Sequence, residues 1–205
     1  MTVAVNVTLP SPLISVAELQ PLLGCVCLLD ARFDLAQPAA GESAYRQAHL
    51  PGALYAHLER DLSAMPPAPA LCGGRHPLPT PQALARTVAA FGITPATPVV
   101  VYDASGGMYA ARAWWLLRWL GHQSVAVLDG GLSAWVAACG ALEAGECRPT
   151  GGTNSRREGS AGERVECRPC LRRSQRFLQP RGVQATVASH LKGKALPRRN
   201  GPSSQ

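Results

Sequence analysis

Between positions 97 and 135 the hydrophobic period changes from strand to helix twice, and this stretch fixes the class of fold. Val99, Val100, Val101 and Tyr102 form a short, β-branched, wholly apolar run, which predicts a strand covered on both faces. Asp103, Ala104, Ser105, Gly106 and Gly107 make a turn. A helical pattern then runs over 108–120, with Gly121 as its stop. Residues 124–128 read as a second buried strand, and Asp129, Gly130 and Gly131 turn the chain into a helix beginning near Leu132. Strand, loop, helix, strand, turn, helix is the grammar of an α/β fold, with a parallel central sheet flanked by helices. Such sheets carry their functional crevice at the carboxyl ends of the strands. The loop 103–107 lies at one of those ends and feeds a helix N-terminus, where outward N–H groups and the macrodipole favour an anion. Ser105, Gly106 and Gly107 are therefore candidates for an anion loop. The same glycines also suit a tight turn with no ligand, and spacing alone favours that simpler reading.

Upstream, residues 11–24 open with a helix in which Ser15 and Glu18 have the spacing of a capping box. Residues 25–30 read as the first central strand, with Cys25 and Cys27 as small buried hydrophobes. A metal site on their spacing has no evident partner ligands. Asp30 and Arg32 end the strand and read as a structural ion pair or a loop cap. Residues 42–48 read as a short helix, followed by a Pro-Gly turn and a strand at 53–56. His49, with no nucleophile near it in sequence, is expected to fix that turn through a hydrogen bond rather than act as a base. The Pro- and Gly-rich loop 61–79 carries Cys72 beside Arg75 and His76. Nearby positive charge favours thiolate, so Cys72 is the candidate reactive thiol. Residues 80–91 predict a helix with Pro81 in its first turn. Trp114, Trp115, Leu117, Trp119 and Leu120 run most of the way round their helix, which predicts that another helix or domain covers it.

The net charge of +7 is unevenly placed. Residues 1–145 hold seven Arg, no Lys and nine acidic residues, a net charge of −2, whereas 146–205 carry +9. In that tail eight of sixty residues are Leu, Ile, Val, Phe or Met, below the ~20% associated with disorder at high net charge. The basic balance thus belongs to an expected disordered tail and indicates no specific nucleic-acid partner. Val183, Val187 and Leu191 have the spacing of one short helix, and Cys167-Arg168-Pro169-Cys170 lacks the preceding strand or second pair that redox or zinc chemistry needs. No run of about 18 apolar residues predicts a membrane span. Seven cysteines without a secretory pattern point to reduced thiols and a cytoplasmic chain.

The sequence VVVYDASGGMYAARAWWLLRWLGHQSVAVLDGGLSAW, together with LLDAR at 28–32 and AHLPGA at 48–53, resembles the N-terminal domain of two-domain sulfurtransferases, the rhodanese and 3-mercaptopyruvate sulfurtransferase family. The resemblance runs from about residue 11 to 140 and implies one rhodanese-like domain over 11–142. Sulfur transfer in that family passes through a cysteine persulfide in the C-terminal domain. The matching N-terminal position is usually aspartate, and here it is Asp103. The resemblance therefore implies a non-catalytic domain, with Asp30, Arg32, His49, Arg112 and Asp129 framing the loop and Cys72 on a variable surface segment. It implies no cofactor and no metal. It also implies a C-terminal rhodanese domain as partner, and a small sulfur donor only when that domain is present. Residues 146–205 carry neither a second strand-end DxR motif nor a catalytic Cys loop, which points to a truncated or frame-shifted reading, with a native disordered tail as the alternative. Two other functions stay open: a single-domain sulfurtransferase using Cys72, and a rhodanese-like binding or regulatory module with the tail as its arm. A phosphatase on this fold needs a Cys-x5-Arg loop, which Asp103 excludes.

Overall fold

A computed structural model describes Leu9 and residues 12–149. Residues 150–205 of the basic tail, with the expected helix near Val183 and the Cys167–Cys170 pair, lie outside the described residues. The elements follow the order β1 (Leu13–Ile14), α1 (Val16–Leu19) with a 3-10 turn at Gln20–Leu22, β2 (Cys27–Asp30), α2 (Pro38–Gln47), β3 (Leu54–Tyr55), α3 (Pro81–Ala90), β4 (Val99–Tyr102), α4 (Met108–Trp119), β5 (Val125–Leu128) and α5 (Gly131–Ala137). The five strands form one sheet in the order β1-β5-β4-β2-β3, and every pairing is parallel. Among the described residues no helix is long and apolar enough to cross a membrane.

The period of two in β4 divides the core. Val99 and Val101 pack with Leu84 of α3 and with Ala113, Leu116 and Leu117 of α4. Val100 and Tyr102 face the opposite layer, with Leu19 of α1 and Trp135 of α5. All four β4 residues are fully buried, as a central parallel strand covered by helices on both faces requires. Its carboxyl end therefore opens onto the loops that precede α2 and α4.

Several local readings change in the structure. The opening segment contains a two-residue edge strand, β1, before the capped helix; its pairing with β5 creates it, since two residues carry no periodic signal of their own. Ser15 caps α1 as expected, with Glu18 Oε2 accepting the Ser15 N–H at 2.8 Å. Cys27 is half-buried, and burial pushes its thiol up to about 12, but Cys25 is exposed rather than buried, because it sits in the turn before β2 begins. Past Leu142 the chain keeps packing on α2: His49 and Glu143 exchange backbone hydrogen bonds at 2.9 Å, Gly145 N–H donates to Arg46 O at 2.8 Å, and Glu146 pairs with Arg46 at 2.8 Å.

Helix α2 begins at Pro38, four residues before Glu42, and it contains Gly41 in its first turns. The glycine is there for space. A Cβ at Gly41 would meet Arg32 O, and would lie 2.6 Å from the Tyr55 hydroxyl. Alanine at a helical site gains about 1 kcal/mol over glycine in propensity. Overpacking costs about 1–3 kcal/mol, and the obstructing atom is backbone, so the clash should win. Gly41→Ala is expected to lower the urea midpoint, and an unchanged or raised midpoint would refute the close-approach reading.

Helix α4 buries Tyr109, Ala110, Ala113, Leu116 and Leu117. Its other side is only partly covered among the described residues: Trp115 and Trp119 are 44% and 37% exposed, with their rings stacked at 5.7 Å between centroids. Exposed aromatic pairs bind apolar probes. The chain should enhance the fluorescence of a hydrophobic dye, and Trp115→Ser/Trp119→Ser should remove most of that signal while leaving the fold intact.

Candidate functional site

At the end of β4 the Asp103 side chain turns into the loop it precedes. Its Oδ1 accepts the N–H groups of Ser105 and Gly107, both at 2.9 Å. Its Oδ2 accepts those of Tyr109 at 2.8 Å and Ala110 at 3.0 Å. Asp103 is 1% exposed. The donors from Tyr109 and Ala110 belong to the first turn of α4, whose amides have no intrahelical partner. Gly107 precedes that helix at φ +88° and offers no capping side chain, so the carboxylate of Asp103 does the capping. The loop amides thus cradle an anion, and that anion is part of the chain. The Asp103 backbone is held as well: its carbonyl accepts the Leu132 N–H at 2.9 Å. It approaches Gly131 so closely that a Cβ there would collide with it, which explains the glycine after Gly130.

A second buried group lies behind the cradle. Asp30 receives Arg32 Nη2 and the Tyr102 hydroxyl, the latter at 2.8 Å, and Arg32 Nη2 also reaches Ala48 O at 2.7 Å. Tyr102 Oη in turn accepts the Leu50 N–H at 3.1 Å. Burial opposes the charge on Arg32, but the Asp30 carboxylate outweighs it and holds the guanidinium above its ordinary value. Burial, and then the Asp30 charge, push the Tyr102 hydroxyl well above its ordinary range. This network ties the ends of β2 and β4 to the turn at 48–53. Arg112, on α4, donates to Leu62 O at 2.9 Å and His76 O at 2.9 Å, and so pins the loop 61–79 beside the cradle.

Residues 15–138 match the sequence profile of the Rhodanese-like domain. The chain belongs to the rhodanese-like domain family. Its sequence is similar to a probable 3-mercaptopyruvate sulfurtransferase from Pseudomonas aeruginosa, 52% identical over 120 residues that span 58% of this chain and 42% of the relative. It is similar also to a putative thiosulfate sulfurtransferase, SseB, from Mycobacterium tuberculosis H37Rv, 44% identical over 141 residues, 67% of this chain and 48% of the relative. Among solved structures it is similar to the 3-mercaptopyruvate sulfurtransferase of Leishmania major, with a TM-score of 0.61 and 30% identity over 69% of this chain and 39% of that one. SseA of Escherichia coli gives a TM-score of 0.58 at 27% identity, covering 72% of this chain and 56% of that one. The chain therefore spans about half the length of the curated relatives it matches.

In this rhodanese-like domain the framing residues divide by what they touch. Arg32 and Arg112 bind turn and loop backbone, and Asp30 holds the Arg32 and Tyr102 side chains, as described. Asp129 is exposed, and its contribution is a backbone N–H given to Ile14 O at 2.9 Å. Cys72 is exposed, and its sulfur accepts the Leu78 N–H at 3.5 Å. The His76 side chain lies 3.5 Å from Glu59 through Nε2, and Arg75 donates to Leu35 O at 2.7 Å. His49 is fully buried and stacked on Tyr45, with ring centroids 4.1 Å apart. Its Nδ1 lies 2.8 Å from Tyr45 O in the last turn of α2. Its Nε2 makes a contact the sequence did not announce, 3.3 Å from the sulfur of Cys147, a residue the rhodanese-like resemblance does not reach.

Proposed function

We propose that this chain is the N-terminal, non-catalytic half of a two-domain sulfurtransferase that takes sulfur from thiosulfate or 3-mercaptopyruvate, the nucleophilic cysteine being supplied by a C-terminal rhodanese-like domain. The observation that carries this is the Asp103 carboxylate, which takes four backbone N–H groups at a loop position where sulfur transfer requires a thiolate. A carboxylate cannot take up sulfane sulfur as a persulfide, and its charge repels an anionic donor from the same amides. The partial span of the sulfurtransferase relatives supports a missing second half, and the exposed Trp115–Trp119 pair is a surface that such a half would cover. A cytoplasmic setting fits the reduced cysteines.

The chain should transfer no sulfur from thiosulfate to cyanide above the uncatalysed rate. Asp103→Cys places a thiol in the same field, where its thiolate is favoured. It should form a persulfide detectable by mass but turn over little, because substrate-binding cations are absent from this loop. Robust turnover by the unmodified chain, lost in Cys72→Ser, would replace this reading with a single-domain enzyme.

A further inference from the structure

Opposite in sequence but adjacent in space, the turn after α2 and the segment after α5 bring together one imidazole, one thiol and one carboxylate. His49 Nε2 is 3.3 Å from Cys147 Sγ, Cys147 Sγ is 3.8 Å from Glu143 Oε2, and all three donor atoms lie within 4.8 Å of one another. We propose that His49, Glu143 and Cys147 form a binding site for a zinc ion, with a water molecule as the fourth ligand.

Each donor is already oriented by a neighbour. Tyr45 O can only accept, so the ring hydrogen sits on His49 Nδ1 and Nε2 is the nitrogen left to face a metal. A ligating histidine characteristically gives its other N–H to a carbonyl in this way. Glu143 Oε2 accepts the Gly52 N–H at 2.8 Å, and the Cys147 N–H donates to the Tyr45 hydroxyl at 3.0 Å. The cluster is further held by the paired backbones of His49 and Glu143. Tetrahedral zinc, with bonds of ~2.0–2.3 Å, sets its ligand atoms about 3.4–3.6 Å apart. The nitrogen–sulfur and sulfur–oxygen separations bracket that range, and the third lies within 4.8 Å. Cys147 lines a cleft of about 260 Å³ together with Tyr45, Tyr55, Arg46 and Arg60, which supplies a path from solvent.

The donor set separates zinc from two rival uses of the same residues. Thiolate and imidazole exclude magnesium and calcium, which take oxygen ligands. A bare Cys147–His49 nucleophile would give the Glu143 carboxylate, 3.8 Å from the sulfur, no part to play. A divalent cation makes that carboxylate a ligand. On binding, the Cys147 S–H bond breaks, the sulfur electron pair goes to the metal, and one proton passes to solvent; no oxidation state changes.

The test uses the full chain with Cys167→Ser and Cys170→Ser, so that the tail pair contributes no sulfur. Anaerobic titration with Co2+ should give the thiolate-to-cobalt charge-transfer band and the intense visible absorption of a four-coordinate site, saturating at about one equivalent and bleached by Zn2+. Cys147→Ser, a mild change that should leave the circular dichroism unaltered, must remove the charge-transfer band. Glu143→Gln should keep the band and weaken Co2+ by more than the ~10-fold lower bound seen when an outer partner is lost. Absence of the band in the parent, or its survival in Cys147→Ser, overturns the site. Neither result bears on sulfur transfer, so the proposal stands or falls apart from the function assigned above.

Discussion

Asp30→Ala is expected to destabilise the domain by about 3–5 kcal/mol, the range for removing one partner of a buried ion pair. Asp30 is fully buried, Arg32 nearly so, and the guanidinium would be left facing an apolar side chain with only Ala48 O among its acceptors described above. The Tyr102 hydroxyl would lose its acceptor in the same step. A domain of ordinary stability has about 5–15 kcal/mol to lose, so the effect should be visible as a large fall in the urea midpoint at constant slope. A control distinguishes charge from packing: Arg32→Met, which withdraws the cation instead of the anion, should cost a similar amount by leaving Asp30 unpaired. If either variant loses less than about 1 kcal/mol, the network is peripheral to the fold.

Asp103→Ala should cost about 2–4 kcal/mol, since it strands N–H groups that had a charged acceptor. Its diagnostic feature is a new response to anions. With the carboxylate gone, sulfate or thiosulfate can enter the cradle at the start of α4, and ligand binding to the native state alone raises stability by mass action. The melting temperature of Asp103→Ala should therefore climb with sulfate at fixed ionic strength, and that of the parent should not. Equal slopes for the two proteins would show that the four amides do not form an anion site.

The sheet and its immediate flanks were legible because their signals are local and strong. Residues 99–102 are apolar and β-branched without interruption, and β4 has those bounds; Gly121 marked the end of α4 to within two residues. Two features were not local. β1 exists through its pairing with β5, and Leu13 at 52% exposure gives no hint of it. The helix read at 42–48 starts at Pro38 instead, and it takes in Gly41, which a side chain could not replace beside Arg32 O. The site divides in the same manner. Asp103 could be found because the loop, the glycines and the helix start are contiguous. His49 and Cys147 are 98 positions apart, and Cys147 follows the point at which composition turns towards the tail. Neither residue has a neighbour in sequence that announces the other, so only the return of the chain past Leu142 onto α2 discloses the pairing.

The carboxylate in the cradle has one more consequence, for how the domain meets its surroundings. A ligand attached to its own receptor by a single rigid strand end competes at an effective concentration that no freely diffusing ion at cellular levels approaches. Phosphate, sulfate and their sulfur-bearing analogues pass such a loop without occupying it. If the parent's melting temperature ignores sulfate as expected, the loop amides register nothing of the supply of an anionic metabolite.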